Sequence, residues 1–373
     1  MDRSTQFVYL SEPDMIRAGV LDAARCVDVS EQVFRLLATG DYLMGGPNHN
    51  SHGLGISFPA SSPFPGMPLA GPDRRFVAMP AYLGGRFDVC GNKWYGSNAE
   101  NRKRGLPRSV LTLMLNDKET GEPLTLMSAN LLSAARTGAV PAVATKYLVP
   151  DTAEVLAVIG CGVVNKAIVS AIMTQQPQLK RIVFHDRTLA KAESFAQWAS
   201  ESFGVQGEAA ETVQRCVSEA DLISVAASRS APLEVKESWF QPHATVMLSG
   251  PITADEPFWT NSSIVYDHIK LHEAYVEEAI ASPDKDAYYS SVIGGPIYRL
   301  IDDGRIPKLE DSVDLGTLIL SEQARPSSPR GLTIFVACGM AVFDVAWGFE
   351  LYQTALEQGI GQRLTLWETP HAS

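Results

Sequence analysis

The chain is 373 residues long, with 45% hydrophobic residues, 20% charged residues and a formal net charge of −11. That length exceeds one ordinary core and predicts two domains, while the acidic balance argues against a surface for nucleic acid. Five scattered cysteines (Cys26, Cys90, Cys161, Cys216, Cys338) without CxxC spacing fit a reducing cytoplasm and offer no zinc site.

The first residues lack the basic start and apolar core of a signal peptide. The longest apolar stretch, 332–347, is interrupted by Asp344 and is short for a membrane span. A cytoplasmic protein without a membrane partner is expected.

Residues 7–10 read as a strand, and 11–14 as a helix start with Ser11 three residues ahead of Asp14. Residues 26–39 form an amphipathic helix with Val29, Val33, Leu36 and Leu37 on one face, stopped by Gly40. From 42 to 73 the chain is dense in Gly, Pro, Ser, Asn and His, and reads as one long irregular segment. Its cluster Asn48, His49, Asn50, Ser51 and His52 has two histidines but no third metal ligand nearby, so it reads as polar surface or as a substrate-pocket wall. Strands follow at 75–80, 87–94, 109–115 and 123–127, with a hairpin-type turn at 116–122, which makes this half α+β. An Ala-rich helix over 130–147 then crosses into the second half at Val149-Pro150.

Residues 155–159 are nearly all apolar, the pattern of a strand buried on both faces of a parallel sheet. Gly160 and Gly162 follow, and then a helix with Ile168, Ile172 and Met173 on its apolar side. Strand, Gly-x-Gly turn and helix make the first unit of a Rossmann-type doubly wound sheet. Gly160 permits the turn and Gly162 lets the backbone approach a pyrophosphate on the helix N-terminus, beside Val163 and Val164. Asn165 stands where the third glycine of the fingerprint belongs. A second strand, 181–186, ends in Asp186, placed to take the ribose hydroxyls of NAD. Arg187 and Thr188 come next and would suit the 2′-phosphate of NADP instead. A helix over 189–203, a segment at 213–218 and strands at 221–226, 243–249 and 263–267 continue the alternation. Strand ends line the crevice of such a sheet, so Ala227, Ser228, Ser249 and Gly250 are candidate cofactor contacts, or simply turn residues. Residues 302–316 read as polar loop, and 330–339 as a strand entering a glycine turn before a helix that runs through Leu356.

Lys93 and Arg136 lie in strongly apolar surroundings, where a cation needs an anionic partner. One reading is an internal ion pair. The other is a substrate carboxylate held by the Arg136 fork, with Lys93 polarising a carbonyl or imine.

Lys93 in Lys-Trp-Tyr-Gly-Ser, Arg136-Thr137 before a small-residue helix, the Gly-Cys-Gly turn and residues 335–344 recur in order in one family. The chain resembles the ornithine cyclodeaminase/μ-crystallin family over nearly its whole length. Residues 78–85 through Asn116-Asp117 resemble the branch of dehydrogenases that form 2,3-diaminopropionate from an N-substituted glutamate. The opening is similar to bacterial sequences that carry the name of a tyramine oxidase component.

The resemblance implies a homodimer, NAD(H) or NADP(H) as cofactor, and hydride transfer at the α-carbon of an amino or imino acid. It implies a substrate-binding and dimerisation domain over 1–147 with 325–373, and a dinucleotide-binding domain over 148–324. Lys93 and Arg136 match the electrophile-activating and carboxylate-binding positions, with Met79 and His52 as further substrate contacts, and Thr137 matches a neighbour of the cofactor phosphates. Two departures bear on the chemistry. Gly250 stands where cyclodeaminases carry a catalytic aspartate, leaving Asp255 as the nearest acid, and no arginine occurs between Arg35 and Arg74. These favour an NAD(P)-dependent oxidoreductase acting on a CH–NH bond over ornithine cyclisation, while Lys93 and Arg136, kept in apolar surroundings, argue against a non-catalytic NAD(P)H binder of the μ-crystallin kind.

Overall fold

The computed structural model describes residues 4–227, 233–321 and 331–371. The chain divides into two compact units, one of Met1–Asp22, Thr39–Arg136 and Met340–Ser373, the other of Ala23–Ala38 and Thr137–Gly339.

The first unit holds β1 (Thr5–Leu10), β2 (Tyr42–Met44), β3 (Leu54–Ser57), β4 (Arg75–Leu83), β5 (Val89–Ser97), β6 (Ser109–Asn116), β7 (Pro123–Ser128) and β18 (Gln362–Trp367). They form one sheet in the order β18-β1-β7-β6-β5-β4-β2, with β3 added on β4. Strand alternation gives this sheet two faces: β4 buries Val77, Met79, Ala81 and Leu83, and turns Phe76, Ala78, Pro80 and Tyr82 the other way. On the buried face lies α12 (Ala341–Gln358), which carries Val342, Phe343, Val345, Trp347 and Leu351 and is buried throughout its first half, Ala341 to Gly348. Gly91 and Gly348 let helix and sheet close: a Cβ on Gly91 would come within 2.8 Å of Val345, and one on Gly348 would run into Leu113. The helix start read at Ser11 is α1 (Glu12–Arg17), with a capping box between Ser11 and Asp14.

The second unit is a parallel sheet of β8 (Val155–Ile159), β9 (Arg181–His185), β10 (Gln206–Ala209), β11 (Leu222–Val225), β13 (Thr245–Leu248), β15 (Ser263–Tyr266), β16 (Val313–Asp314) and β17 (Thr333–Val336). Its order is β10-β9-β8-β11-β13-β17-β15-β16, and a separate parallel pair joins β12 (Leu233–Val235) to β14 (Ile252–Ala254). The chain lays β9 and β10 on one side of β8, then returns to lay β11 and β13 on the other. The carboxyl ends of β8 and β11 therefore flank a topological switch point, where such sheets bind ligands. Helices α4 (Val163–Gln175), α5 (Leu189–Phe203) and α6 (Val213–Val217) connect the first strands, and α7 (Glu256–Thr260), α8 (Ile269–Ala281), α9 (Lys285–Ser291), α10 (Gly295–Asp302) and α11 (Leu315–Ser321) the later ones.

The unit boundaries differ from those expected at 147/148 and 324/325. Helix α2 (Ala23–Thr39) sorts with the parallel sheet up to Ala38: Glu31 bonds Lys146 and Tyr147, and a Cβ on Gly316 of α11 would meet the Phe34 carbonyl oxygen at 2.7 Å. Helix α3 (Asn130–Leu148) changes unit part-way, at Arg136/Thr137. Strand β17 belongs to the parallel sheet, where it pairs with β13 and β15, because its apolar residues need cover on both faces. The segment read as irregular over 42–73 contains β2 and β3, and that over 302–316 contains β16 and the start of α11. No described helix is long and apolar enough to cross a membrane.

Candidate functional site: a buried cation cluster and a glycine-loop crevice

Lys93 sits mid-strand in β5, opposite Met79 on β4 and Leu113 on β6, on the face covered by α12. Arg136 comes from α3 and Asp344 from the first turn of α12. Lys93 Nζ donates to Asp344 Oδ2 at 2.7 Å, and Arg136 Nε donates to Asp344 Oδ1 at 3.0 Å. Lys93 Nζ also lies 3.4 Å from Ser133 Oγ, one turn before Arg136. Lys93 is 2% exposed, Arg136 6% and Asp344 0%.

Both cations are thus internally paired, as the plainer reading of the sequence allowed, but they share one acid. Two cations on one carboxylate leave a surplus positive charge in a buried place, which an anion from outside would neutralise. Burial, with the Arg136 guanidinium beside it, pulls the Lys93 ammonium down from 10.5 to about 8, and Asp344 acts in the opposite sense. Among the described residues only Nε of Arg136 has a protein hydrogen-bond partner, so its two terminal nitrogens remain as a fork for a carboxylate. Lys93 uses two of its three N–H donors.

In the second unit, Gly160 adopts φ +95°, and its N–H donates to the His185 carbonyl at 2.8 Å. Gly162 is the N-cap of α4 with extended backbone, and a Cβ there would meet nothing within 4 Å. The fold itself does not demand glycine at 162; the open space before the helix N-terminus does suit a pyrophosphate. Val163, in the first turn, is 71% exposed. Both Asp186 oxygens are engaged, one by the Cys161 N–H at 3.0 Å and one by the Thr188 N–H at 2.9 Å. The carboxylate therefore ties the glycine turn to the start of α5, with Arg187 and Thr188 exposed beside it.

The ends of β8, β11 and β13 converge. A Cβ on Gly160 would lie 3.0 Å from the Ala226 carbonyl oxygen, and one on Gly250 would lie 3.1 Å from the Ala227 nitrogen. Ser249 Oγ is buried there without a hydrogen-bond partner among the described residues. A switch-point crevice with an open helix N-terminus and an orphaned hydroxyl fits a dinucleotide.

Two expected residues take other roles. Asn165 is fully buried, donates to the Ile159 and Gly160 carbonyls at 2.7 and 2.6 Å, and accepts from Ser224 Oγ at 2.7 Å. It replaces the third glycine by stapling the turn from within, which leaves its side chain no face for the cofactor. Asp255 accepts the Glu237 N–H at 2.9 Å at the start of α7, a structural task. Ser228 lies outside the described residues. Gly250 has a physical reason to lack a carboxylate, since a side chain would press on the Ala226–Ala227 backbone.

Met79 stands directly across from Lys93. His52 is half-buried and precedes Gly53, where a Cβ would meet the Met79 side chain at 2.9 Å. Among the described residues no group of three or more His, Cys, Asp or Glu could hold a metal. Thr137 and Val164 are half-buried in the first turns beyond Arg136 and Gly162. The residue that sequence reasoning missed is Asp344. Its signal was present, as the one acid inside the apolar stretch 332–347.

A family model for the ornithine cyclodeaminase/mu-crystallin family matches residues 20–359. The chain belongs to that family. Family members similar to it include a Delta(1)-pyrroline-2-carboxylate reductase of Bacillus cereus, 28% identical over 80% of this chain and 87% of the relative. Another is the N-((2S)-2-amino-2-carboxyethyl)-L-glutamate dehydrogenase of Staphylococcus aureus, 26% identical over 79% of this chain and 82% of that one. Among solved structures, an archaeal alanine dehydrogenase dimer with bound NAD shares the fold, with a TM-score of 0.76 at 22% identity over 97% of this chain and 100% of the other.

Proposed function

We propose that this family member is an NAD(H)-dependent oxidoreductase that interconverts an imino acid and its amine by hydride transfer at the α-carbon. The observation that carries the reading is the buried surplus positive charge on Lys93, Asp344 and Arg136. Arg136 takes the substrate carboxylate with its terminal nitrogens. Lys93 gives a proton to the imine nitrogen and takes it back in the oxidative direction. Bound NADH supplies the hydride. In reduction a C–H bond forms at the α-carbon, the C=N π electrons move to nitrogen, and nitrogen takes the Lys93 proton. An ammonium that titrates at about 8 serves both directions near neutral pH.

One surplus charge matches one carboxylate, and the polar segment 42–73 carries no Lys or Arg to hold a second. Asp186 favours NAD(H), because a carboxylate beside the ribose repels a 2′-phosphate. The relatives lend support: one reduces a cyclic imino acid, and another is a dehydrogenase of an N-substituted amino acid. Incubation with NADH and Δ1-pyrroline-2-carboxylate, or with pyruvate plus methylamine, should consume NADH stoichiometrically with amine formed. Binding of NADH without turnover on either substrate would instead support a cofactor binder.

The working unit in this reading is a homodimer. Phe76, Trp94, Val110 and Met114 are exposed on the sheet face opposite α12, with Phe76 stacked on Trp94 at 5.6 Å, and a second copy would cover them. The dimeric alanine dehydrogenase supports the assignment. Trp94→Glu with Met114→Glu should yield a monomer by light scattering, and an unchanged mass would remove this face from the interface. The five cysteines, none of them in a disulfide, suit a reducing cytoplasm as its setting.

A further inference from the structure

Resting on that reading, we propose that Asp344 is the positioning residue of the reaction: its single carboxylate fixes the plane of the Arg136 guanidinium and keeps the Lys93 ammonium charged and aimed. Each oxygen takes one cation, Oδ2 the Lys93 ammonium at 2.7 Å and Oδ1 the Arg136 Nε at 3.0 Å. A bond at Nε orients the guanidinium side-on and leaves the terminal pair end-on, the edge that grips a carboxylate in two parallel hydrogen bonds. The acid is fully buried in the first turn of α12. The groups that face Lys93 are few: Asp344 from α12, Arg136 and the Ser133 hydroxyl from α3, and the Tyr95 ring at 5.9 Å from its own strand. Without the carboxylate, the ammonium keeps only the Ser133 hydroxyl and the Tyr95 ring among the described residues, beside a like charge in a dry place, and the guanidinium loses its anchor.

Asp344→Asn keeps the shape and removes the charge. With the protein free of substrate and cofactor, the Lys93 resonance, assigned with Lys93→Arg, should titrate about one pH unit or more lower in the Asn variant than in wild type. In turnover, KM for the imino acid should rise about tenfold or more, the alkaline limb of kcat/KM should move down with the Lys93 resonance, and kcat should recover as the pH is lowered. A merely structural ion pair would lose thermal stability without recovery of kcat in acid. An unmoved Lys93 titration, or a KM equal to wild type, would overturn the proposal. Asp344→Glu, which keeps the charge but displaces it, covers a failure of the Asn variant to fold. It should hold the Lys93 titration near wild type while raising KM, and a titration that falls anyway would also count against the assignment. Should the resonance shift as expected while wild type reduces no imine, the charge-setting role stands and the assigned reaction falls, so the two failures are told apart.

Discussion

Asp186 and Asp344 each gather two donors, but from very different places. Asp186 collects two backbone N–H groups, from Cys161, 25 residues away, and from Thr188, its near neighbour. Asp344 collects two side-chain cations, from 251 and 208 residues away. The first region is a backbone turn held by neutral N–H groups on Asp186 and by the Asn165 amide. The second is built from three charges and is least tolerant of losing Asp344, which would leave two buried cations without their anion at a cost of several kcal/mol.

The largest effect should come from Lys93→Met, which deletes the proton donor but fills its space. Reduction should slow by about 10²–10⁴-fold, the usual span for a lost general acid, while the dissociation constant for NADH stays within about twofold. Parallel loss of NADH binding would blur the division of labour between the two regions. Arg136→Ala should act mainly on KM, raising it by about 10–100-fold through loss of a charged hydrogen-bonding fork. The glycine loop supplies the complementary break. Gly162→Ala should leave the melting temperature unchanged, since its Cβ meets nothing, but weaken NADH by about tenfold, or some 1.4 kcal/mol. Gly160→Ala should instead destabilise the fold by about 1–2 kcal/mol, because its φ of +95° is a left-handed conformation.

A smaller and more continuous effect follows from pH. With Lys93 held near 8, kcat/KM for reduction should decline above about that pH and the oxidative direction should gain. Stability carries the same signature. The folded value lies below the ordinary lysine value of 10.5, so between about 8 and 10.5 the unfolded chain binds more protons at this site. The Lys93 contribution to stability therefore rises with pH across that window and is least favourable below it. Lys93→Met should flatten that component in urea titrations at a series of pH values.

This contrast also explains what could be read in the chain. The β8–α4–β9 region was legible because its strand, glycines, helix and acid are close in sequence and each has a local physical reason. Lys93 and Arg136 were legible as charges in apolar surroundings, but their partner was not. Asp344 is legible as an interruption of an apolar stretch and as the end of the 335–344 motif, but nothing local says which cation a buried acid will meet. Asn165 stands at the third-glycine position of the fingerprint and was a candidate cofactor contact, whereas its hydrogen bonds reach the two carbonyls that the turn exposes. Strand β18 escaped notice because all six of its residues are exposed and its existence depends on pairing with β1. Helix α2 was found but assigned to the wrong unit, because its amphipathic pattern shows that a face is buried without saying against what.

The most direct test of the surplus-charge account is calorimetric titration of the NADH-loaded protein with pyrrole-2-carboxylate, a planar ring acid, and with its uncharged carboxamide. The carboxylate should bind wild type, should lose most of its affinity for Arg136→Ala, and the amide should bind neither. Equal binding of acid and amide, or acid binding untouched by Arg136→Ala, would contradict an anion held by the two cations that share Asp344.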